Sequence, residues 1–533
     1  MTNAVTIIRS LVVYGLCIPL AIFLGYLLAL PMDMGSMLVV IVALALPLVP
    51  VLLRWHHPLL ALSWNMSVVL FFLPGRPNLW IVMAALSLGI AVLQHILNRD
   101  LRFLHVPSIA VPLIFLALVI VVTIQLTGGM GIRSLGSSDA YGGKRYILLL
   151  GAIIGYFAFT SRAVPPGQAF VYVAMYFLSA LTSAISNAAP LLDPSLYFIF
   201  AFFPVESLTA IEEPIAGSGF GLSLRLGGVT LATIAMVWFI LARHGLGGLM
   251  DLSERWRFLP FRFRGGFSVC QPWRLLVFLA AAWLSLLGGY RSTAISLIMA
   301  LIIMFFLERL WRTRLLPISL MFGILLVAIG LPLIHKMPLT IQRSLAFLPL
   351  DIDPVAKMSA DVSTEWRLRI WREVIPTIPQ YLILGKGYTI NAAEQELVRS
   401  TSAFSQANTE GVAMIAGDYH NGPLSTIIPL GIFGVIGFVW FVIAAIRLLL
   451  NNYRHGDPAL RSINTFLLAY FLMRVIFFFA VFGTFYSDLM IFTGIVGLSV
   501  CLNGGLRRPA PVVREKPATN PLRLARAVRS GAQ

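Results

Sequence analysis

Apolar runs separated by short polar or charged stretches recur along the whole length of the chain. A bilayer core is crossed by roughly 20 apolar residues in a helix, and lipid leaves the backbone of each segment only internal partners. The pattern predicts about fourteen spans, near residues 10–30, 37–53, 59–73, 79–97, 107–126, 144–160, 168–186, 225–242, 273–288, 292–307, 317–334, 423–446, 464–482 and 486–503. The 59–73 run is short, and "LYFIFAFFPV", Leu196 to Val205, is too short to cross, so twelve to fourteen spans are expected. Composition agrees with this reading. At 59% hydrophobic and 11% charged residues, with a mean hydropathy of +0.88, a soluble domain of 533 residues could not hide its apolar surface from water.

The fold class expected is an all-α, polytopic integral membrane protein of about 12–14 transmembrane helices with one large extracytoplasmic loop. Four regions follow: an N-terminal transmembrane bundle over 1–334, a large loop over 335–422, C-terminal transmembrane helices over 423–506, and a basic tail over 507–533 that reads as disordered. The first apolar run follows Arg9 as a signal peptide would, but it is too long and Pro31 stands where cleavage would be sought, so an uncleaved anchor is expected. Cys17 and Cys501 fall within spans and Cys270 in a loop, a distribution that implies no disulfide.

Charge fixes an orientation. With both termini inside, 24 of the 39 Lys and Arg residues lie on the inner side and 14 on the outer, eight of these on the long loop, with Arg474 inside a span. Long loops are largely exempt from the positive-inside rule, and setting this one aside leaves 24 against 6, so the long loop is expected to be extracytoplasmic. The net charge of +17 lies mostly on short inner loops and the tail, where anionic lipid headgroups account for it without nucleic acid. No internal repeat of the kind that marks inverted-repeat transporters is visible.

Candidate chemistry gathers on the outer side. In "STEWRLRIWREVIPTIPQYLILGKGY" Trp366, Ile370 and Val374 recur at helical spacing, with Ser363 or Thr364 as an N-cap and Pro376 as a stop. A short amphipathic helix is expected, with its apolar face packed over the outer ends of the spans. Arg367 and Trp371 share one face of it, and Gly385 and Gly387 permit a tight turn beyond. Arg225 and Arg291 stand at the outer starts of two spans, and His420, flanked by Asp418 and Asn421, precedes a third. Arginines at a membrane face either snorkel to headgroups or bind a partner. The histidine either anchors a helix end or acts as a general base. Several guanidiniums suit a pyrophosphate, whose leaving-group charge they stabilise, and they would also keep a nearby histidine neutral and ready to take a proton.

Three segments carry a resemblance: "YRSTAISLIMAL", "RLRIWREVIPTIPQYLILGKGY" and "HNGPLSTIIPLGIFGVIG". In this order, around one large outer loop, they resemble the O-antigen ligase and O-antigen polymerase superfamily of bacterial membrane glycosyltransferases, over roughly Arg225 to Phe438. The resemblance implies a metal-independent transferase with no cofactor, acting at the periplasmic face of the inner membrane. Its donor would be a polyprenyl-pyrophosphate-linked glycan and its acceptor a hydroxyl on a glycan, lipid or protein. His420 would match the family's loop histidine, Arg225 and Arg291 its pyrophosphate-facing arginines, with Arg367 and Asn421 as further substrate-binding residues. "GYRSTAIS" departs from the Ser-Arg-Gly pattern of many ligases. A transporter or flippase for lipid-linked glycans is the competing reading, in which the arginines bind a headgroup and no base is needed.

Overall fold

The computed structural model describes residues 22, 34–73, 75–98, 103–128, 143–204, 226–249, 255–257, 268–270, 273–390, 414 and 417–507. Helices α1 (Met34–Ser63), α2 (Leu79–Leu97), α3 (Pro107–Thr127), α4 (Gly143–Phe159), α5 (Ala169–Leu178), α6 (Ile199–Phe202), α7 (Gly227–Leu249), α8 (Trp273–Leu284), α9 (Arg291–Leu307) and α10 (Leu315–Leu333) precede the long loop. Within it lie α11 (Leu339–Ser344), α12 (Pro354–Val374) and α13 (Ile378–Tyr381), and α14 (Gly422–His455), α15 (Arg461–Ala480) and α16 (Phe485–Asn503) follow. Strands β1 (Arg255–Arg257) and β2 (Ser268–Cys270) pair antiparallel as a small ribbon, and the other named elements among the described residues are helical. Among the described residues, seven helices are long and apolar enough to cross a membrane, and three shorter apolar helices accompany them. The first expected span, 10–30, lies almost wholly outside the described residues, as does the basic tail.

Bonds between helix ends sort the bundle into two faces. On one, Leu104 N donates to Thr160 O, Val164 N to Cys501 O, and Tyr453 Oη to Leu307 O. There too a buried Asn464–Asn503 amide pair, at 3.0 and 2.8 Å, ties α15 to α16. On the other, Val229 N donates to Asn187 Oδ1, Ser344 Oγ to Leu286 O and Thr389 Oγ1 to Thr127 O. The second is the loop face, since α11 to α13 sit there. Helix α16 runs through the middle of the bundle, and its Gly494 and Gly497 let Trp64 and Phe159 close on its backbone. A Cβ at Gly494 would overlap the Trp64 ring and one at Gly497 would crowd the Phe159 Cβ, so the glycines set the interhelical distance.

Two expectations change in the structure. The 59–73 run is not a helical span of its own, because α1 takes in its first third, to Ser63, and the chain then leaves the helix. Beyond Ser63 other partners replace the helical ones: Asn65 Nδ2 donates to Tyr176 O, Ser67 N to Thr182 Oγ1 and Val69 N to Phe202 O. The loop helix α12 begins at Pro354, earlier than Ser363 or Thr364, because Asp353 is its N-cap: Oδ1 accepts from Val355 N at 2.8 Å and proline takes the first helical position. Its end at Val374 fits Pro376 as the stop.

The loop does not float above the bundle. Helix α14 breaks at Gly431 (φ +65°), after Pro429 has removed a backbone donor. The "LGKGY" turn fills the break: Lys386 N donates to Ile428 O, Gly387 N to Pro429 O, and Ile432 N to Leu382 O. A broken helix at membrane depth needs such substitute partners, and here the loop supplies them. Ile370 and Val374 of α12 pack with Tyr419, Leu424 and Ile428, burying the apolar face that the sequence spacing marks out.

Candidate functional site

The site is organised by α12. Gly289 (φ +68°) turns the chain into α9, and Arg291, the first residue of that helix, reaches α12, where its Nη2 donates to Ala360 O and Thr364 Oγ1, both at 2.9 Å. The hydroxyl expected as a cap thus holds an arginine. One turn further along, the Arg367 Nε is buried without a partner, and its Cζ stands 5.6 Å from the centroid of the Phe482 ring. Burial, with repulsion from Arg291, lowers the Arg367 pKa from its usual value. Two guanidiniums are therefore held close together on one helix.

His420 faces them. Its ring lies between Trp366 and Phe482, each with centroids 5.0 Å away, and Trp371 Nε1 donates to Tyr419 O at 2.8 Å, fixing the strand of chain just before it. The backbone there is left-handed, with φ +48°. A non-glycine residue in that region carries about 1–3 kcal/mol of strain, which the surrounding packing must hold. Nδ1 is buried without a hydrogen bond and lies 3.6 Å from Asp418 Oδ1. Burial lowers the His420 pKa, Asp418 pulls it back up, and Arg367 lowers it again. The ring is thus biased toward the neutral state, with a carboxylate placed to stabilise the imidazolium.

Behind Asp418 runs a chain of polar contacts that the sequence pattern does not reveal. Thr484 Oγ1 donates to Asp418 Oδ1 at 3.2 Å, and Thr484 N donates to Asp488 Oδ2 at 2.8 Å. Asp488 Oδ1 in turn takes the Arg474 Nη2 at 3.1 Å. Arg474, conspicuous in its span, therefore has a carboxylate partner and reaches His420 only through Asp488, Thr484 and Asp418. Asn421 is the N-cap of α14, its Oδ1 accepting from Leu424 N at 3.0 Å. Arg225 lies outside the described residues. Arg343 is the cation the sequence reading missed: it is nine-tenths buried in α11, with Nη2 3.5 Å from Ser359 O and with Nε and Nη1 unpartnered. In sequence it is one of eight basic residues on a long loop, with no pattern around it to single it out.

The spans, with a loop face that gathers Arg291, Arg367 and His420, define a polytopic membrane protein. Residues 276–439 match the family described as O-antigen ligase. That segment contains Arg291, Arg367, His420 and Asn421, and over it the chain is similar to the O-antigen ligase and polymerase type of glycosyltransferase. A comparison with curated proteins found no match.

Proposed function

We propose that the chain transfers a glycan from a polyprenyl-pyrophosphate carrier to a hydroxyl acceptor at the periplasmic face of the bacterial inner membrane, as a polymerase or ligase. The observation that carries this reading is the convergence of Arg291, Arg367 and His420 on the single helix α12. The loop face is taken as periplasmic because the short segments on the opposite side hold most of the basic residues. In the reaction the bond between the sugar anomeric carbon and the phosphate oxygen breaks as the acceptor oxygen bonds to that carbon. The acceptor proton passes to His420 Nε2, with Nδ1–H directed at Asp418. Negative charge left on the lipid diphosphate falls to Arg291 and Arg367, which stabilise it more than the ground state. Arg225 is the further pyrophosphate-facing arginine that the resemblance implies, and Asn421 positions His420 by capping the helix that follows it. No step uses a metal or cofactor.

Lysine offers a point charge where arginine offers a planar fork. Arg291→Lys is therefore expected to lower donor affinity about ten- to a hundredfold, read from the donor dependence of transfer in nanodiscs. Full activity with unchanged donor affinity would rule out the clamp. The family branch is read from a deletion strain: shortened glycan with single units still attached marks a polymerase, and long unattached chains mark a ligase.

The electrostatics around His420 give an independent check. Transfer should fall as the pH drops through the His420 pKa, because only the neutral ring accepts a proton. Asp418→Asn removes the attraction that raises this pKa, so the acid limb of the rate profile should move to lower pH. Arg367→Gln removes a repulsion, so its limb should move to higher pH whatever it does to the maximum rate. Limbs that stay fixed, or move together, would detach His420 from the rate-limiting protonation.

A further inference from the structure

Arg343 is not used by the mechanism above. Its side chain is buried, yet two of its donor nitrogens have no partner and the third reaches only a distant carbonyl. No carboxylate pairs with it among the described residues. A buried guanidinium left this way is costly unless something else takes its N–H groups.

Its position suggests what that is. Arg343 approaches Ser359 O and Arg291 binds Ala360 O, consecutive carbonyls of α12, while Arg367 and the Trp366 that touches His420 lie further along the same helix. From residue 359 to 366 the helix rises roughly 10 Å at 1.5 Å per residue. The three guanidiniums thus stand in a row, Arg343, Arg291 and Arg367, that ends at the His420 ring. Ser344 Oγ donates to Leu286 O at 3.0 Å, which ties α11 to the turn leading into Arg291 and fixes the spacing between the first two.

We infer that Arg343 is a second oxyanion subsite, binding the phosphoryl group of a diphosphate that lies farther from His420, while Arg291 and Arg367 hold the nearer one. This rests on the proposed transfer reaction, because the order of the two phosphates is set by where the sugar is released. The subsite explains how the chain would distinguish a diphosphate-linked carrier from a monophosphate. Only the former fills both ends of the row.

The test uses the full-length protein in nanodiscs with two probes, inorganic pyrophosphate and orthophosphate, measured by calorimetry. Arg343→Met keeps side-chain length without donors, and Arg343→Lys keeps the charge. Arg343→Met is expected to weaken pyrophosphate about ten- to a hundredfold and to leave orthophosphate nearly unchanged, with Arg343→Lys between it and the wild type. Arg291→Gln should weaken both anions. If Arg343→Met changes neither, water satisfies the guanidinium and the subsite does not exist. If Arg343→Met weakens both equally, or lowers the thermal midpoint so far that Arg343→Lys alone can be assayed and binds both anions as the wild type does, the residue supports the fold and the inference fails. If the wild type binds neither anion and Arg291→Gln is silent, the donor reading itself falls, and the subsite with it.

Discussion

His420→Ala is expected to lower glycan transfer by about two to four orders of magnitude while leaving donor binding nearly intact, the range for loss of a general base. The structure makes the residue a candidate on three independent counts. It sits in a left-handed conformation that a histidine adopts only at a cost. Its Nδ1 lies 3.6 Å from the Asp418 carboxylate, which is itself held through Thr484 and Asp488 by Arg474. Its ring is clamped by Trp366 and Phe482, so it cannot swing away from Arg367 without breaking aromatic contacts. Because alanine also dislikes the left-handed region, His420→Asn is the better-matched partner variant, since asparagine tolerates that backbone. Both should be slowed to that extent in single-turnover transfer, and the Asn variant should keep the wild-type thermal midpoint. A folded His420→Asn or His420→Ala protein that transfers at the wild-type rate would remove the base assignment and favour a carrier that only binds lipid-linked glycan.

Much of this was legible in the sequence because bilayer physics writes long apolar runs, and the runs over 79–97, 107–126 and 486–503 correspond closely to α2, α3 and α16. The loop helix was visible through Trp366, Ile370 and Val374, and Asn421 through its place before an apolar run. The start of α12 was harder to see, since Asp353–Pro354 lies in a stretch with no apolar stripe, and capping chemistry decided it. The 59–73 run misled because apolar character does not distinguish a spanning helix from a half-buried, non-helical segment whose polar groups find partners elsewhere in the chain, as Asn65 does. At the site, residue types pointed to anion chemistry, but the relay from Arg474 to Asp418 joins α15, α16 and the loop, contacts that no local pattern encodes. Arg343 was hidden for the same reason: only tertiary packing shows that its donors are unpartnered.

Gly385→Ala should be the most damaging small substitution on the loop, lowering stability by about 3 kcal/mol or more and abolishing transfer. Gly385 has φ +75°, and a Cβ there would land on the backbone carbonyl of Pro429, which cannot rotate away as a side chain could. A left-handed alanine alone costs about 1–2 kcal/mol. The overlap adds to this by pushing Lys386 N and Gly387 N off Ile428 O and Pro429 O, each a buried acceptor at the break in α14. Losing those bonds leaves helix carbonyls unsatisfied at membrane depth, where water does not replace them. The functional effect follows from the same geometry, since the turn anchors the loop whose helix α12 carries Arg291's partners and Arg367. Gly330→Ala is the control, because a Cβ at Gly330 meets nothing within 4 Å and helix propensity favours alanine there. Thermal midpoints followed by tryptophan fluorescence, with limited proteolysis of the loop, read the outcome. Should Gly385→Ala unfold at the wild-type temperature, resist protease and transfer glycan normally, the turn would not be the anchor that holds the loop cations against His420.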